Sequence, residues 1–367
     1  MRILVFVDQM AVGGASRVAS IMLQGLVDLG HDVMIETDIS YGVFYDIPSS
    51  VKLAPVQYSQ AHNYPGRIKQ VIRRINGHRK YINEFNPDVI IVYMSRLFIE
   101  VLIANAGKRI PIIVTDHTSM SRDLGAWTNF VRHNLYGLAD CATILTKKDE
   151  TYLGKRIKCK EVVYNPLTFQ PIRDFHNPRR KNILCVGRVS YWNVKGFDRI
   201  IKIWGGLSRK YPEWILEIAG PYDSSSLRQL SDMALKAGCA NQVKFLGNIK
   251  DIISLYTESS IFALPSRVEG FPMVLIEAMS QGCACISFDM DGAISEIAKD
   301  QINCSIVPDN NLELFGQKLE HLLNSEELRD SLSINAIKDV DKYNVDSFIE
   351  HWHTILTKVS NGRSPRK

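Results

Sequence analysis

Two glutamates, Glu269 and Glu277, enclose the run Gly270-Phe271-Pro272-Met273-Val274-Leu275-Ile276. The residues before it, Ile261, Phe262, Ala263 and Leu264, read as the end of a buried strand that Pro265 stops. Gly270 is a flexible pivot, and Pro272 fits the first position of a helix, where a missing N–H is harmless. Met273 to Gln281 are good helix formers and Gly282 ends the helix. The loop therefore lies at the carboxyl end of a strand, where open α/β sheets bind ligands. Glu277 falls about five residues into the helix, roughly 7–8 Å along its axis. Between the two carboxylates, amides around Phe271, Met273 and Val274 lack intrahelical acceptors. The helix start carries roughly +0.5 of a charge and suits a phosphate. A ligand with phosphate in its middle and hydroxylated groups at both ends would match, and a nucleotide sugar has that layout. Without those neighbours the same pattern is an ordinary strand–loop–helix with two surface glutamates.

Cations stand at a second helix entry. Lys181–Gly187 reads as a strand, Arg188 follows it, and Lys195-Gly196-Phe197-Asp198 opens a helix reaching about Lys210. An arginine fork and a lysine point charge can together neutralise a diphosphate, or both can be solvated. Near the N-terminus, Gly13-Gly14 lets backbone approach a ligand or simply makes a tight turn. It is not G-x-G-x-x-G, so the dinucleotide fingerprint is absent. Asp289-x-Asp291 is the pattern that could hold a divalent metal over a diphosphate. Arg188, Lys195 and the helix start already supply the charge, so no metal or other cofactor is expected.

The elements that must carry these residues alternate between strand and helix. A length of 367 residues and 46% apolar composition provide for two cores. No run of about 18 apolar residues marks a membrane span. Met1–Asp8 reads as a buried strand rather than a signal peptide. Strands are expected at 31–37, near 51–54, and at 88–93, 110–115, 140–145 and 161–164. Helices are expected from Gly14 to about Leu29 and over 67–82, 97–107 and 121–138. Pro166, Pro171 and Pro178 mark a linker. Beyond it the alternation restarts, with strands 181–187, 214–219, 243–246, 261–264 and 283–288. Helices 309–323, 326–341 and 345–359 follow, and 362–367 form a tail. Seven cysteines without a C-x-x-C pattern indicate free thiols in a reducing cytoplasm. The net charge of +5 lies wholly in residues 1–165, which hold 20 Lys and Arg against 15 Asp and Glu; the remainder holds 24 of each. An anionic partner on the first half is one reading, and chance surface composition is the other. Ile68, Val71, Ile72 and Ile75 share one face of the helix at 67–82, among Arg67, Lys69, Arg73, Arg74, Arg79 and Lys80. That face lies on an anionic bilayer or is core.

Glu269-Gly270-Phe271-Pro272 with Glu277, matched without a gap, resembles the retaining glycosyltransferases of sequence family 4, which have the GT-B fold. Gly13-Gly14-Ala15-Ser16-Arg17-Val18, Gly187-Arg188 and Lys195-Gly196-Phe197 are similar to further motifs of that family, in the same order, over nearly the whole chain. The segment holding Tyr191, Trp192 and Asn193 is longer than usual, and Gly292-Ala293 replaces a Gly-Pro found in many relatives. The resemblance implies two doubly wound, Rossmann-like parallel-sheet domains facing a cleft. These are an acceptor-side domain (1–165) and a nucleotide-sugar domain (166–344), with a crossover helix and tail (345–367) on the first domain. It implies a donor such as a UDP-hexose or UDP-N-acetylhexosamine. Arg188, Lys195 and the amides from Gly270 to Val274 would hold its diphosphate, with Gly13 and Gly14 facing it. Glu277 would bind the ribose, the backbone of Asn248 and Ile249 the base, Glu269 the sugar hydroxyls, and His117 would touch the sugar. Glu269, His117, Arg188 and Lys195 are the catalytic set. Front-face attack would let the leaving phosphate take the acceptor's proton. A glycan or lipid-linked acceptor in cell-surface polysaccharide synthesis, a cytoplasmic location on the inner face of the plasma membrane, and no nucleic-acid partner complete the expectation. The alternative is a sugar-nucleotide isomerase such as a UDP-N-acetylglucosamine 2-epimerase. A non-catalytic sugar-nucleotide-binding protein is a third reading.

Overall fold

The strands form where apolar runs are continuous, as in Ile3–Val7 and Val89–Tyr93, because both sheet faces are covered. The computed structural model describes residues 1–11, 13–40, 42–56, 64–153, 157, 159–173, 179–290 and 293–361, without the side chains of 64–67. Asp291, Gly292 and the tail 362–367 lie outside the described residues, as does the Arg67 side chain. The chain divides into two compact units, Met1–Pro166 with Val345–Lys367, and Leu167–Asn344.

The first unit holds β1 (Arg2–Gln9), β2 (Asp32–Asp38), β3 (Lys52–Val56), β4 (Val89–Tyr93), β5 (Ile112–Thr115), β6 (Cys141–Ile144) and β7 (Lys160–Val162). All pair in parallel in the order 3-2-1-4-5-6-7. Its helices are α1 (Gly14–Asp28), α2 (Tyr64–Phe85), α3 (Ser95–Ala104), α4 (Ala126–Phe130) and α5 (Lys147–Tyr152). The continuous helix expected over 121–138 is broken. It becomes α4, one wide turn (Val131–Leu135) and one tight turn (Tyr136–Leu138). Gly125 has a left-handed φ of 93°, and Asp123 accepts from the Gly125 N–H and the Asn129 side chain. These local bonds compete with the helix.

The second unit holds β8 (Arg180–Val186), α6 (Trp192–Lys195), α7 (Phe197–Leu207), β9 (Ile215–Ala219), α8 (Ser224–Lys236), β10 (Val243–Gly247), α9 (Ile252–Glu258) and β11 (Ser259–Leu264). It continues with α10 (Met273–Ser280), β12 (Ala284–Asp289), α11 (Ala293–Ile297), β13 (Ser305–Pro308), α12 (Leu312–Asn324) and α13 (Glu326–Asp339). Its six strands are parallel in the order 10-9-8-11-12-13. The last helix, α14 (Val345–Asn361), belongs to the first unit. There Ile349 lies where a Cβ on Gly25 would stand, and Lys358 pairs with Glu161 at 2.7 Å. No helix among the described residues is long and apolar enough to cross a membrane. The cysteines are free thiols, and all but the half-buried Cys159 are buried.

Helix α2 departs from the simplest amphipathic reading. Ile68, Val71 and Ile72 are exposed, with Ile72 at 53%, so this part of the apolar stripe is not core. The buried side carries Arg74, His78, Ile82 and Phe85. Charges are tolerated there because they meet partners from β2 and α3. Arg74 makes a forked bond to Glu100, with Nε 2.7 Å from Oε2. His78 Nδ1 lies 2.6 Å from Glu36 and Nε2 lies 3.4 Å from Glu100. The Phe6 ring and the imidazole meet in a T-shaped arrangement with centroids 5.2 Å apart. Burial lowers the His78 pKa, but the hydrogen bonds and charges of Glu100 and Glu36 outweigh it and raise it to about 9.

In the second unit α6 ends at Gly196, whose φ is 68°, and α7 starts immediately. The segment between Arg188 and Lys195 is thus a tight turn (Val189–Tyr191) followed by one helical turn. A Cβ on Gly196 would lie 1.9 Å from the carbonyl oxygen of Pro265, so two backbones touch where only glycine fits.

Two stability predictions follow from this packing. A raised histidine pKa adds stability that is complete below pH 6.5 and fades as the pH climbs through about 9. His78→Gln should lose about 3 kcal/mol at pH 7, and its urea midpoint should fall less steeply than the wild type's over that window. Equal slopes would show that His78 is neutral in the fold. Gly196→Ala should lose about 2–4 kcal/mol through left-handed strain and backbone displacement. An unchanged melting temperature would contradict the close approach to Pro265.

Candidate active site

The order of the second sheet reverses between β8 and β11, which are hydrogen-bonded neighbours. Their carboxyl-end loops emerge side by side, the place where open α/β sheets bind ligands. The loops after β8, β9 and β10 are joined through backbone. Gly187 N–H donates to Ala219 at 2.9 Å, Val189 N–H to Pro221 at 2.9 Å, and Gly220 N–H to Gly247 at 2.7 Å. A Cβ on Gly220, whose φ is 142°, would stand 1.9 Å from the Gly187 oxygen. Strand ends β8, β9 and β10 therefore meet with no side chain in the way.

Lys195 and Glu269 come together. The ammonium donates to Oε1 at 2.8 Å and to Oε2 at 3.1 Å, and the buried Ser266 hydroxyl donates to Oε1 at 2.7 Å. The side chains are only 25% and 10% exposed. Two residues not singled out from the sequence, Arg267 and Arg199, hold the loops that carry this pair. Arg267 N–H donates to the Val194 carbonyl at 2.8 Å. The Arg267 guanidinium grips both oxygens of Asp198 at 2.8 and 2.7 Å and also bonds the Asn193 carbonyl. The buried Arg199 reaches the carbonyls of Pro265 and Ser266 and the side chains of Asp309 and Asn310, with its guanidinium over the Phe288 ring. The one available signal was position: Arg267 stands inside the glutamate motif, and Arg199 adjoins the apolar residues of α7.

Other residues expected at the donor site lie on loops and helix starts of the same unit. Arg188 is exposed, its guanidinium 5.3 Å from the centre of the Tyr191 ring. Pro272 precedes the helix as its cap, with φ −77° and ψ 80°, instead of taking the first helical position. The reason is a tight turn: Met273 N–H donates to Phe271 and Leu275 N–H to Pro272, each at 2.9 Å. The Met273 amide is therefore engaged locally, whereas that of Val274 has no acceptor among the described residues. Phe271 is buried with its ring edge on Tyr343. Glu277 is no surface glutamate: it is 3% exposed and accepts from the buried Tyr256 hydroxyl at 3.2 Å. Asn248 and Ile249 form the turn after β10, beyond Gly247 with φ 70°. Asp289 accepts from the N–H groups of Ile294 and Ser295 and from the Ser295 hydroxyl, which makes it the cap of α11. Among the described residues no three or more His, Cys, Asp or Glu gather as a metal site.

In the first unit, His117 follows β5. Its ring stacks on Tyr93 with centroids 4.8 Å apart, and Nε2 lies 3.1 Å from the Thr115 hydroxyl. Burial pushes its pKa down to about 4 against the opposing pull of Asp116 and Asn165, so the imidazole is neutral at pH 7. Asp116 accepts from Arg132 Nε and the Tyr136 hydroxyl, each at 2.9 Å. Arg132 also bonds the Thr118 and Ser119 carbonyls, which locks the loop. Gly13 has φ 165°, an extended value open to any residue, and a Cβ there would meet nothing within 4 Å. The need for glycine at 13 is therefore not set by the backbone; the space in front of it is open. Gly14 begins α1.

Residues 169–339 match the model of the family described as Glycosyl transferases group 1, and residues 12–168 that described as Glycosyltransferase Family 4. The amylovoran biosynthesis glycosyltransferase AmsD of Erwinia amylovora is 27% identical over 97% of this chain and 99% of its own. A Campylobacter jejuni α-1,4-N-acetyl-D-galactosaminyltransferase, named for a diNAcBac-PP-undecaprenol-linked GalNAc disaccharide, is 25% identical over 98% of this chain and 99% of its own. Among solved structures, HepE of Anabaena in complex with UDP-glucose superposes with a TM-score of 0.78 at 18% identity, covering 98% of this chain and 100% of that one. With two Rossmann-like parallel sheets and both family models matched in succession, the chain belongs to the group 1 glycosyltransferases of the GT-B fold.

Proposed function

We propose that the protein moves a hexose or N-acetylhexosamine from a UDP-sugar to a glycan or lipid-linked acceptor, with retention of anomeric configuration, in the assembly of a bacterial surface polysaccharide. The observation that carries this reading is the Lys195–Glu269 pair, fixed at the strand-order reversal beside the start of α10. A cation and a carboxylate in contact suit a ligand that is phosphate on one side and hydroxyls on the other. The relatives named for amylovoran and for an undecaprenol-linked saccharide, and the neighbour solved with UDP-glucose, support the substrate classes. The isomerase alternative has no such support, since the matched families and relatives are transferases.

The chemical difficulty is departure of a diphosphate. Lys195, Arg188 and the open amide at the head of α10 meet the developing charge, and loss of one such contact typically slows a reaction by about 10²–10³. Glu269 accepts hydrogen bonds from sugar hydroxyls and steadies positive charge at the reacting carbon. Glu277, oriented by Tyr256, accepts from the ribose. The backbone at Asn248 and Ile249 receives the base, and Gly13 and Gly14 leave room for the phosphates. His117 serves as a neutral hydrogen-bonding group to the sugar, a state its low pKa maintains. The leaving phosphate takes the acceptor's proton on the face it vacates, so no separate general base is required, and no metal is assigned.

We also assign α2 a membrane contact at the inner face of the plasma membrane. Its exposed Ile68, Val71 and Ile72 lie among the exposed cations Lys69 and Arg73, a combination that binds anionic bilayers.

Arg188→Ala and Glu269→Ala should each lower UDP release from a turned-over UDP-sugar at least about tenfold without unfolding the protein, and EDTA should leave the wild type active. Near-normal turnover in either variant removes that residue from the mechanism; loss with EDTA and rescue by manganese would restore the metal reading. The wild type should co-sediment with phosphatidylglycerol vesicles and Ile72→Asp should not. Absence of the wild type from the vesicle pellet would remove the membrane contact.

A further inference from the structure

We propose that the Lys195–Glu269 ion pair distinguishes an intact nucleotide sugar from the spent nucleoside diphosphate, weakening the hold on the product. The inference rests on the donor-site reading above and concerns the order of events at that site. Both oxygens of Glu269 lie within 3.1 Å of the lysine nitrogen, and Oε1 is further fixed by Ser266. The pair is largely withdrawn from water, so its charges are poorly screened. Neither partner can drift off with its own segment. Arg267 joins the glutamate loop to Asp198 and Val194, and Gly196 presses the lysine turn onto Pro265. Any anion that approaches Lys195 therefore also approaches the Glu269 carboxylate.

The two ligands differ in how they meet that carboxylate. A sugar-bearing diphosphate presents hydroxyls, which donate to Glu269 and disperse its charge while the ammonium, with three N–H donors, turns to the phosphate. A free diphosphate presents no hydroxyl there. Its terminal phosphate ionises a second time with a pKa near 6, so above that pH it carries about one more negative charge than the esterified form. That charge faces a carboxylate that has lost the sugar's donors and lies only a hydrogen bond from the lysine. The same glutamate thus favours the donor and disfavours the product, which promotes turnover when nucleotide release is slow.

The test is titration calorimetry of UDP at pH 7.5 and low salt. Glu269→Gln keeps the shape and removes the charge, and it should bind UDP about fivefold more tightly than the wild type, the gain shrinking as salt is added. Glu269→Ala, which removes the same charge, should shift UDP affinity in the same direction, and it decides the matter if Glu269→Gln melts below the wild type. Lys195→Met should bind UDP more weakly than either. UDP affinity equal to or below the wild type's in the folded Glu269→Gln protein would overturn the inference while leaving the donor site in place. Failure of the wild type to bind any of UDP, GDP or ADP would overturn the donor-site reading, and the inference with it.

Discussion

The contact on which the second unit depends is one of backbone with backbone. Gly196 meets Pro265, and Gly220 meets Gly187, at separations that leave no room for a Cβ. Parallel pairing of β8 and β11 brings their loops to the same end of the sheet. The glycines then let those loops close on one another. Without that approach Lys195 and Glu269 would be two charges on neighbouring loops, each free to choose water. With it their backbones stand close enough for the side chains to pair, and Ser266 further fixes the carboxylate.

Holding charges in such a place requires that each charge behind them be satisfied as well. A buried cation without a partner is severely penalised, but a fully hydrogen-bonded one is tolerated and gives a rigid mount. Arg199 illustrates this with two carbonyls, a carboxylate and an amide around one guanidinium. Arg132 plays the same part in the first unit, spanning Asp116 and the carbonyls after it, so that the loop carrying His117 is fixed from beneath. In both units a buried arginine organises the loop, and the residue proposed for chemistry stands on the loop it organises. The arginines themselves have no reason to touch a substrate.

The architecture was legible because fully buried parallel strands announce themselves as unbroken apolar runs: β1, β4, β11 and β12 stand within a residue or two of where Ile3–Val7, Val89–Tyr93, Ile261–Leu264 and Cys283–Phe288 place them. The coming together of Lys195 and Glu269 was legible only as two motifs, since their meeting depends on a sheet order that periodicity does not encode. Three things were hidden. The break at Gly125 rests on Asx-type bonds among Asp123, Gly125 and Asn129, which look helical one residue at a time. The capping position of Pro272 follows from a tight turn through Phe271 that composition cannot distinguish from a first helical turn. The orientation of α2 was obscured because Arg74 and His78 lie inward only by virtue of Glu36 and Glu100, which come from β2 and α3. A charged residue reads as outward until its distant partner is known.

The two units also differ in how they treat charge at the residues proposed for chemistry. The second unit gathers formal charges and balances them pairwise, which suits a ligand whose own charge must be held and then released. At His117 the first unit keeps the imidazole neutral by burial and ring stacking on Tyr93, although Asp116 is its chain neighbour. Burial outweighs the pull of Asp116, a carboxylate that also accepts from Arg132 and Tyr136. A protonated imidazole would attract a diphosphate wherever it met one. A neutral imidazole offers a hydrogen bond with little pull on phosphate. Asp116 has Arg132 as its counter-charge while burial leaves His117 uncharged, whereas Lys195 and Glu269 are each other's counter-charge among the described contacts.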